Sequence, residues 1–219
     1  MALEDFTTYT ESDPTADITV TSTKVDVVSI AEEADAQVYS DKGASHFDGD
    51  FTWQFEVFMT KDTGGGHNII LGGLSLTNDD VSTDTNKKLG LRLFDNTSNI
   101  DMCVHKRDSG GEAQDCLASA LSHSTLYYPE LERDEAASAN GDLIARIYTD
   151  SARTSLHDTL TVSLSENLDW QYAYGFMNYG TATGAVGITA FIQNLDLQEG
   201  GGPTPATAKS PTLLTLGAG

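Results

Sequence analysis

The stretch Glu130-Leu131-Glu132-Arg133-Asp134-Glu135 sets three glutamates at offsets 0, 2 and 5. Paired carboxylates cleave glycosidic bonds by acid–base chemistry, and the retaining form of that reaction wants them about 5–5.5 Å apart. In an extended strand Glu130, Glu132 and Asp134 instead share one face with about 7 Å between neighbours. Leu131 then points inward, and alternation alone accounts for both glutamates on the polar side. Pro129, which has no N–H for a ladder, marks a strand start or an edge. The stretch reads as an acidic strand, and no catalytic residue is assigned.

Other chemistry is sparser. His46, His67, His105, His123 and His157 are scattered, and no Gly-x-Ser-x-Gly elbow presents a serine. Histidines so placed read as surface or packing residues. The segment TNDDVSTDT offers Asn78, Asp79, Asp80 and Asp84 in one loop, the oxygen-rich setting a hard cation requires. Asp79, Asp80 and Asp84 are therefore calcium candidates, although the D-x-D-x-D-G spacing is missing and an acidic turn accounts for them equally. No other cofactor is expected.

Trp170, Tyr172, Tyr174 and Phe176 alternate along one stretch. Such a row stacks sugar rings or fills a sandwich core, and alternating apolar faces favour the core. Trp170, Tyr172 and Tyr174, which carry polar handles, are the ligand-binding candidates. Cys103 and Cys116 flank VHKRDSGGEAQD. A two-residue loop at Ser109-Gly110 sets them directly opposite each other, close enough for a disulfide; two packed thiols are the alternative in a reducing compartment.

The elements that must position these residues are strands. FTWQFEVFM, KLGLRLF, DLIARIY, DTLTVSL and WQYAYGF alternate with period 2, ITAFIQNLDL closes the series, and DITVTS and KVDVVSI begin it. SIAEEADAQVY, residues 29–39, is the one helix candidate. Turn signals such as Asp48-Gly49 and Asn140-Gly141 recur along the chain, which predicts an all-β, two-sheet antiparallel sandwich over residues 1–198. From Glu199 the Gly- and Pro-rich EGGGPTPATAKSP reads as a flexible tail, residues 199–219. Its terminal Leu213, Leu214 and Leu216 are expected to dock on a partner subunit.

The segment LYYPELERDEAASANGDLIARIYTDSARTSLHDTLTVSL carries a further signal. An aromatic pair leads into a strand ending in Arg-Asp, then a turn, then a strand closing on Tyr-x-Asp. This resembles laminin G-like domains of the concanavalin A-like lectin/glucanase superfamily, and within it the jelly-roll domains of tailed-phage virion proteins. The resemblance implies a jelly roll whose terminal strands are neighbours, with DITVTS paired to ITAFIQNLDL. Glucanases of this fold carry E-x-D-x-x-E, whereas position 132 is Glu here and Tyr127, Tyr128 and Pro129 replace their Trp, Pro and Gly lead-in.

With 33 acidic against 12 basic residues in 219, the formal charge is −21. That disfavours nucleic acid and anionic membrane as partners. MALEDFTTYTESDP lacks the basic and apolar regions of a secretory signal. Together with the resemblance, these features lead to the expectation of a non-enzymatic structural protein on a phage virion, a capsid decoration or surface protein. It would be released by lysis and assembled as a homo-oligomer. A carbohydrate-binding module and a glycoside hydrolase are the alternatives.

Overall fold

The computed structural model describes residues 3–31, 35–44, 46–60, 68–78, 86–95, 99–178 and 187–199. Among the described residues, fourteen strands carry the fold. They are Thr10–Ser12 (β1), Ile18–Val20 (β2), Lys24–Ala31 (β3), Gln37–Asp41 (β4), Phe51–Met59 (β5), Asn68–Ser75 (β6) and Lys88–Asp95 (β7). Then come Ile100–Asp108 (β8), Gly111–Cys116 (β9), Tyr128–Asp134 (β10), Asp142–Tyr148 (β11), Leu156–Ser163 (β12), Tyr172–Asn178 (β13) and Gly187–Glu199 (β14).

They form two seven-stranded antiparallel sheets, packed as a jelly-roll sandwich. The first sheet runs β1, β4, β13, β6, β7, β8, β9, and the second β12, β11, β10, β5, β14, β3, β2. The period-2 pattern explains the layering. Phe51, Trp53, Phe55, Val57 and Met59 of β5 all face the inter-sheet core, as do Leu89, Leu91 and Leu93 of β7. Burying each such side chain is worth about 1.5–3 kcal/mol, which pins register because a one-residue slip would turn the whole set to water.

Two expectations are corrected. SIAEEADAQVY does not form a helix where it is described: residues 29–31 end β3 and residues 37–39 open β4. Its Ala and Glu content favours helix locally, but ladder bonds to β14 and β13 outweigh that preference. Besides β5, the strand paired to β14 is β3, from KVDVVSI, and not β2; β2, from DITVTS, lies one place further out and pairs with β3.

Beyond Glu199, the expected tail with Leu213, Leu214 and Leu216 lies outside the described residues, as do Asp79, Asp80 and Asp84.

Candidate functional site

Strand register arranges the outward-facing side chains of the first sheet into rows. The central row runs Tyr39, Tyr174, Gly73, Gly90, His105, Gln114. On one side of it lie Tyr172, Ser75, Lys88, Arg107 and Glu112. On the other lie Gln37, Met177, Ile70, Arg92, Cys103 and Cys116.

Two glycines sit in the middle of the central row. A Cβ on Gly73 would lie 2.8 Å from the Leu89 carbonyl, and one on Gly90 2.8 Å from the Gly72 carbonyl. Any side chain there collides with backbone, so the floor stays low between Tyr174 and His105. Those residues stand three strands apart, about 14 Å between backbones.

At the β7–β9 end the row is cationic. Lys88, Arg92 and Arg107, three of the 12 basic residues in the chain, face outward from two adjacent strands. Arg92 donates from Nε to Asn68 Oδ1 at 3.0 Å and from Nη1 to Gln114 Oε1 at 2.7 Å. The Glu112 carboxylate gathers three partners: His105 Nε2 at 3.0 Å, Arg107 Nη1 at 3.5 Å and Arg92 Nη1 at 3.7 Å.

The His105 side chain is 0% exposed. Burial pushes its imidazole down to about 4; Glu112 opposes the fall, and Arg92 and Lys88 add to it. His105 is therefore neutral at neutral pH. A carboxylate at Nε2 favours the tautomer protonated there, leaving the basic lone pair on Nδ1. A hollow of about 250 Å³ opens on the same face, lined by Arg92, Phe94, Asp101, Cys103, Gln114 and Cys116; His105 does not line it, but stands opposite Gln114 in the ladder.

At the other end the face is aromatic. Ile70, Tyr174 and Met177 form a cluster separate from the inter-sheet core, with Tyr39 and Tyr172 packed on it. Tyr39 lies 5.9 Å from Tyr172 and 5.6 Å from Tyr174, ring centre to ring centre. Residues following β6 close over it: the Tyr174 hydroxyl donates to the Thr77 carbonyl at 3.0 Å, and Asn78 Nδ2 donates to the Tyr39 hydroxyl at 3.1 Å.

This splits the aromatic row expected from the sequence. Tyr172 and Tyr174 face outward, whereas Trp170, at 1% exposed, and Phe176 belong to the inter-sheet core. The register of β13 shifts between Tyr174 and Phe176, at Gly175, where a Cβ would meet the Phe6 ring at 2.8 Å. Trp170 precedes the strand and bridges to Phe47. As placed, it presents no face to a sugar.

The acidic stretch converges on no cleft. Glu130 and Glu132 lie on the outer face of the second sheet and share the Arg146 guanidinium. Glu135, past the end of β10, pairs with the buried Arg133. Cys103 and Cys116 face each other and are joined by a disulfide, with Ser109-Gly110 as the hairpin loop. Among the described residues no group of three or more His, Cys, Asp or Glu is placed to hold a metal.

Sequence reasoning missed Arg92, His105, Lys88 and Glu112. The signal was present for two of them: Leu89, Leu91 and Leu93 facing inward put Lys88 and Arg92 outward. His105 is buried, as a packing residue is, but its neighbours are the charged Glu112, Arg92 and Lys88.

No family model matches the chain, and no curated protein matches it. Solved structures do. An alginate lyase matches with a TM-score of 0.59 at 13% identity, covering 89% of this chain and 88% of its own. A legume lectin-like domain from Entamoeba histolytica matches at 0.56 and 15%, covering 89% and 91%. An alginate lyase from Pseudomonas aeruginosa matches at 0.56 and 11%, covering 89% and 99%. At these identities the shared property is the fold alone, a two-sheet jelly-roll sandwich. The expectation of a non-enzymatic phage virion protein is corrected on this finding. By name these neighbours are two polysaccharide-cleaving enzymes and a lectin-like domain, and none of the three is a virion protein.

Proposed function

We propose that the protein takes an acidic polysaccharide across the outer face of the first sheet and cleaves it by β-elimination at a uronate residue. The observation that carries this reading is the placement of Arg92 and Gln114 at one hollow, with a buried, neutral His105 opposite Gln114 in the ladder. Arg92 and His105 lie on a sheet face that also carries Lys88 and Arg107, in a chain that is otherwise strongly acidic. The likeness in fold to alginate lyases supports it.

The chemistry follows from the groups. A uronate carries its carboxylate on C5, and a guanidinium paired to that carboxylate stabilises the charge that develops when the C5 proton leaves. Arg92, at the hollow, is the cation placed for this, with Lys88 two rows away across the central row. His105, whose side chain is fully buried, takes the C5 proton once binding moves aside the groups that cover it, as only a neutral imidazole can. The electron pair forms the C4–C5 double bond, the bond from C4 to the glycosidic oxygen breaks, and the imidazolium returns its proton to that oxygen. Tyr39 and Tyr172, across the glycine floor, stack on rings further along the chain.

Incubation with alginate and other polyuronates, followed by the ultraviolet absorption of the conjugated product, tests this. Product formation lost in Arg92→Gln and in His105→Ala, with the fold intact, is the expected result. Saturable binding without product would reduce the protein to a lectin-like module. Neither binding nor product on any polyuronate would overturn the proposal.

A further inference from the structure

We propose that the Cys103–Cys116 disulfide is a positioning element of this site: it clamps the edge strand β9 so that Glu112 and Gln114 hold His105 and Arg92, and its reduction unfastens the site while the sandwich stays folded. This rests on reading the outer face of the first sheet as the functional one.

Strand β9 is the last strand of its sheet and has a ladder neighbour, β8, on one side only. Edge strands held by one ladder open at lower cost than central ones. Yet β9 supplies the polar partners of both central groups of the site. Gln114 accepts from Arg92 at 2.7 Å, and Glu112 contacts His105 at 3.0 Å. Two fasteners bracket this pair of residues. The tight turn from Asp108 to Gly111 fixes the start of β9, and the disulfide fixes its end, with Cys103 and Cys116 directly opposed.

Besides the ladder with β8 and the Arg107–Glu112 pair, the further anchors of β9 lie elsewhere. Asp115 accepts from the Thr161 amide at 2.9 Å, and the Leu117 amide donates to the Met102 carbonyl at 3.1 Å. They tie the strand to the body of the sandwich but do not touch Glu112 or Gln114. Reduction therefore loosens the clamp without freeing the strand. Cys116 is exposed and both sulfur-bearing residues line the hollow, so a thiolate reaches the bond from solvent. The step balances: a dithiol such as dithiothreitol supplies two electrons and two protons, and two cysteine thiols result.

The test compares the oxidised protein with the Cys103→Ala/Cys116→Ala double variant and with Glu112→Gln, in which the disulfide remains. Circular dichroism confirms folding, and nuclear magnetic resonance reads the His105 titration. The groups facing His105 are Glu112, Arg92 and Lys88. Loss of the disulfide lets water reach His105 and moves its titration upward. Glu112→Gln removes a group that holds the proton and moves it downward. Product formation falls tenfold or more in both. A folded double variant with unchanged His105 titration and unchanged activity would overturn the proposal. If the titration shifts as stated while no form of the protein acts on any polyuronate, the positioning role stands and the lyase reading fails.

Discussion

Arg146 stands directly across from Glu130 in the ladder of β10 and β11, and its Nη1 serves both Glu130, at 3.1 Å, and Glu132. One cation thus neutralises two carboxylates on the face of the second sheet, away from the hollow. Carboxylates held in this way are structural. Glu130→Gln and Glu135→Gln are expected to leave product formation unchanged in the ultraviolet assay. Arg146→Met strands Glu132, only 5% exposed, without its cation. Allowing for the partial exposure of the arginine, the cost is about 1–2 kcal/mol, measurable by urea denaturation.

Lys106 and Asp108 face inward from β8, a buried pair 2.7 Å apart, and Lys106 also donates to the Ser165 hydroxyl at 2.8 Å. Burial alone would push the Asp108 carboxyl up, but Lys106 and the amides of Ser165 and Gly110 hold it below its ordinary 3.8. A depressed carboxylate stabilises the fold at pH above its unfolded value, and that contribution is lost as pH falls through the folded one. The loss therefore falls below about pH 4. Lys106→Met leaves Asp108 charged and unpaired and is expected to cost about 3 kcal/mol, lowering Tm by roughly 6–10 °C in calorimetry.

His105 gives stability a second pH dependence, of the same sign but at higher pH. Its folded value, about 4, lies below its ordinary 6.5, so between the two the unfolded chain binds the extra proton. Stability is then fully present above pH 6.5 and declines as pH falls toward 4, by roughly 3 kcal/mol in all. His105→Gln is expected to flatten that slope in denaturation curves taken across this range. Activity that depends on the neutral imidazole should show its acid limb near pH 4, well below the ordinary histidine range.

The two ends of the expected aromatic row should respond differently to mutation. Trp170→Ala empties part of the core and is expected to cost about 3–5 kcal/mol. Trp170→Phe, which keeps most of the packing, leaves polyuronate affinity unchanged. Tyr172 is only partly buried, so Tyr172→Ala is expected to weaken binding severalfold in calorimetric titration while Tm moves little. Equal loss of affinity in Trp170→Phe and Tyr172→Ala would show that the row acts as one surface.

The alternating strands were legible in the chain because each records its own burial, whereas Asn68–Ser75, buried on both faces, does not alternate and was not read. The alternation of Phe51 to Met59, the inward leucines of β7 and the symmetric spacing of Cys103 and Cys116 about Ser109-Gly110 are local patterns, and the structure places them accordingly. The segment 29–39 was misread because ladder partners from β13 and β14 decide a strand that its own Ala and Glu do not. The bulge at Gly175, set by the approach of Phe6, turns Phe176 inward and breaks a face that alternation draws as continuous.

The site itself belongs to the tertiary structure. Tyr174, Gly73, Gly90 and His105 fall in one row only because β13 pairs with β6, β6 with β7 and β7 with β8. Sequence alone determines that a face of β7 carries Lys88 and Arg92, and that Glu112 and Gln114 share a face of β9. Register decides that those faces coincide, and burial decides that His105 among them stays neutral, because desolvating a cation beside Arg92 and Lys88 costs more than Glu112 returns.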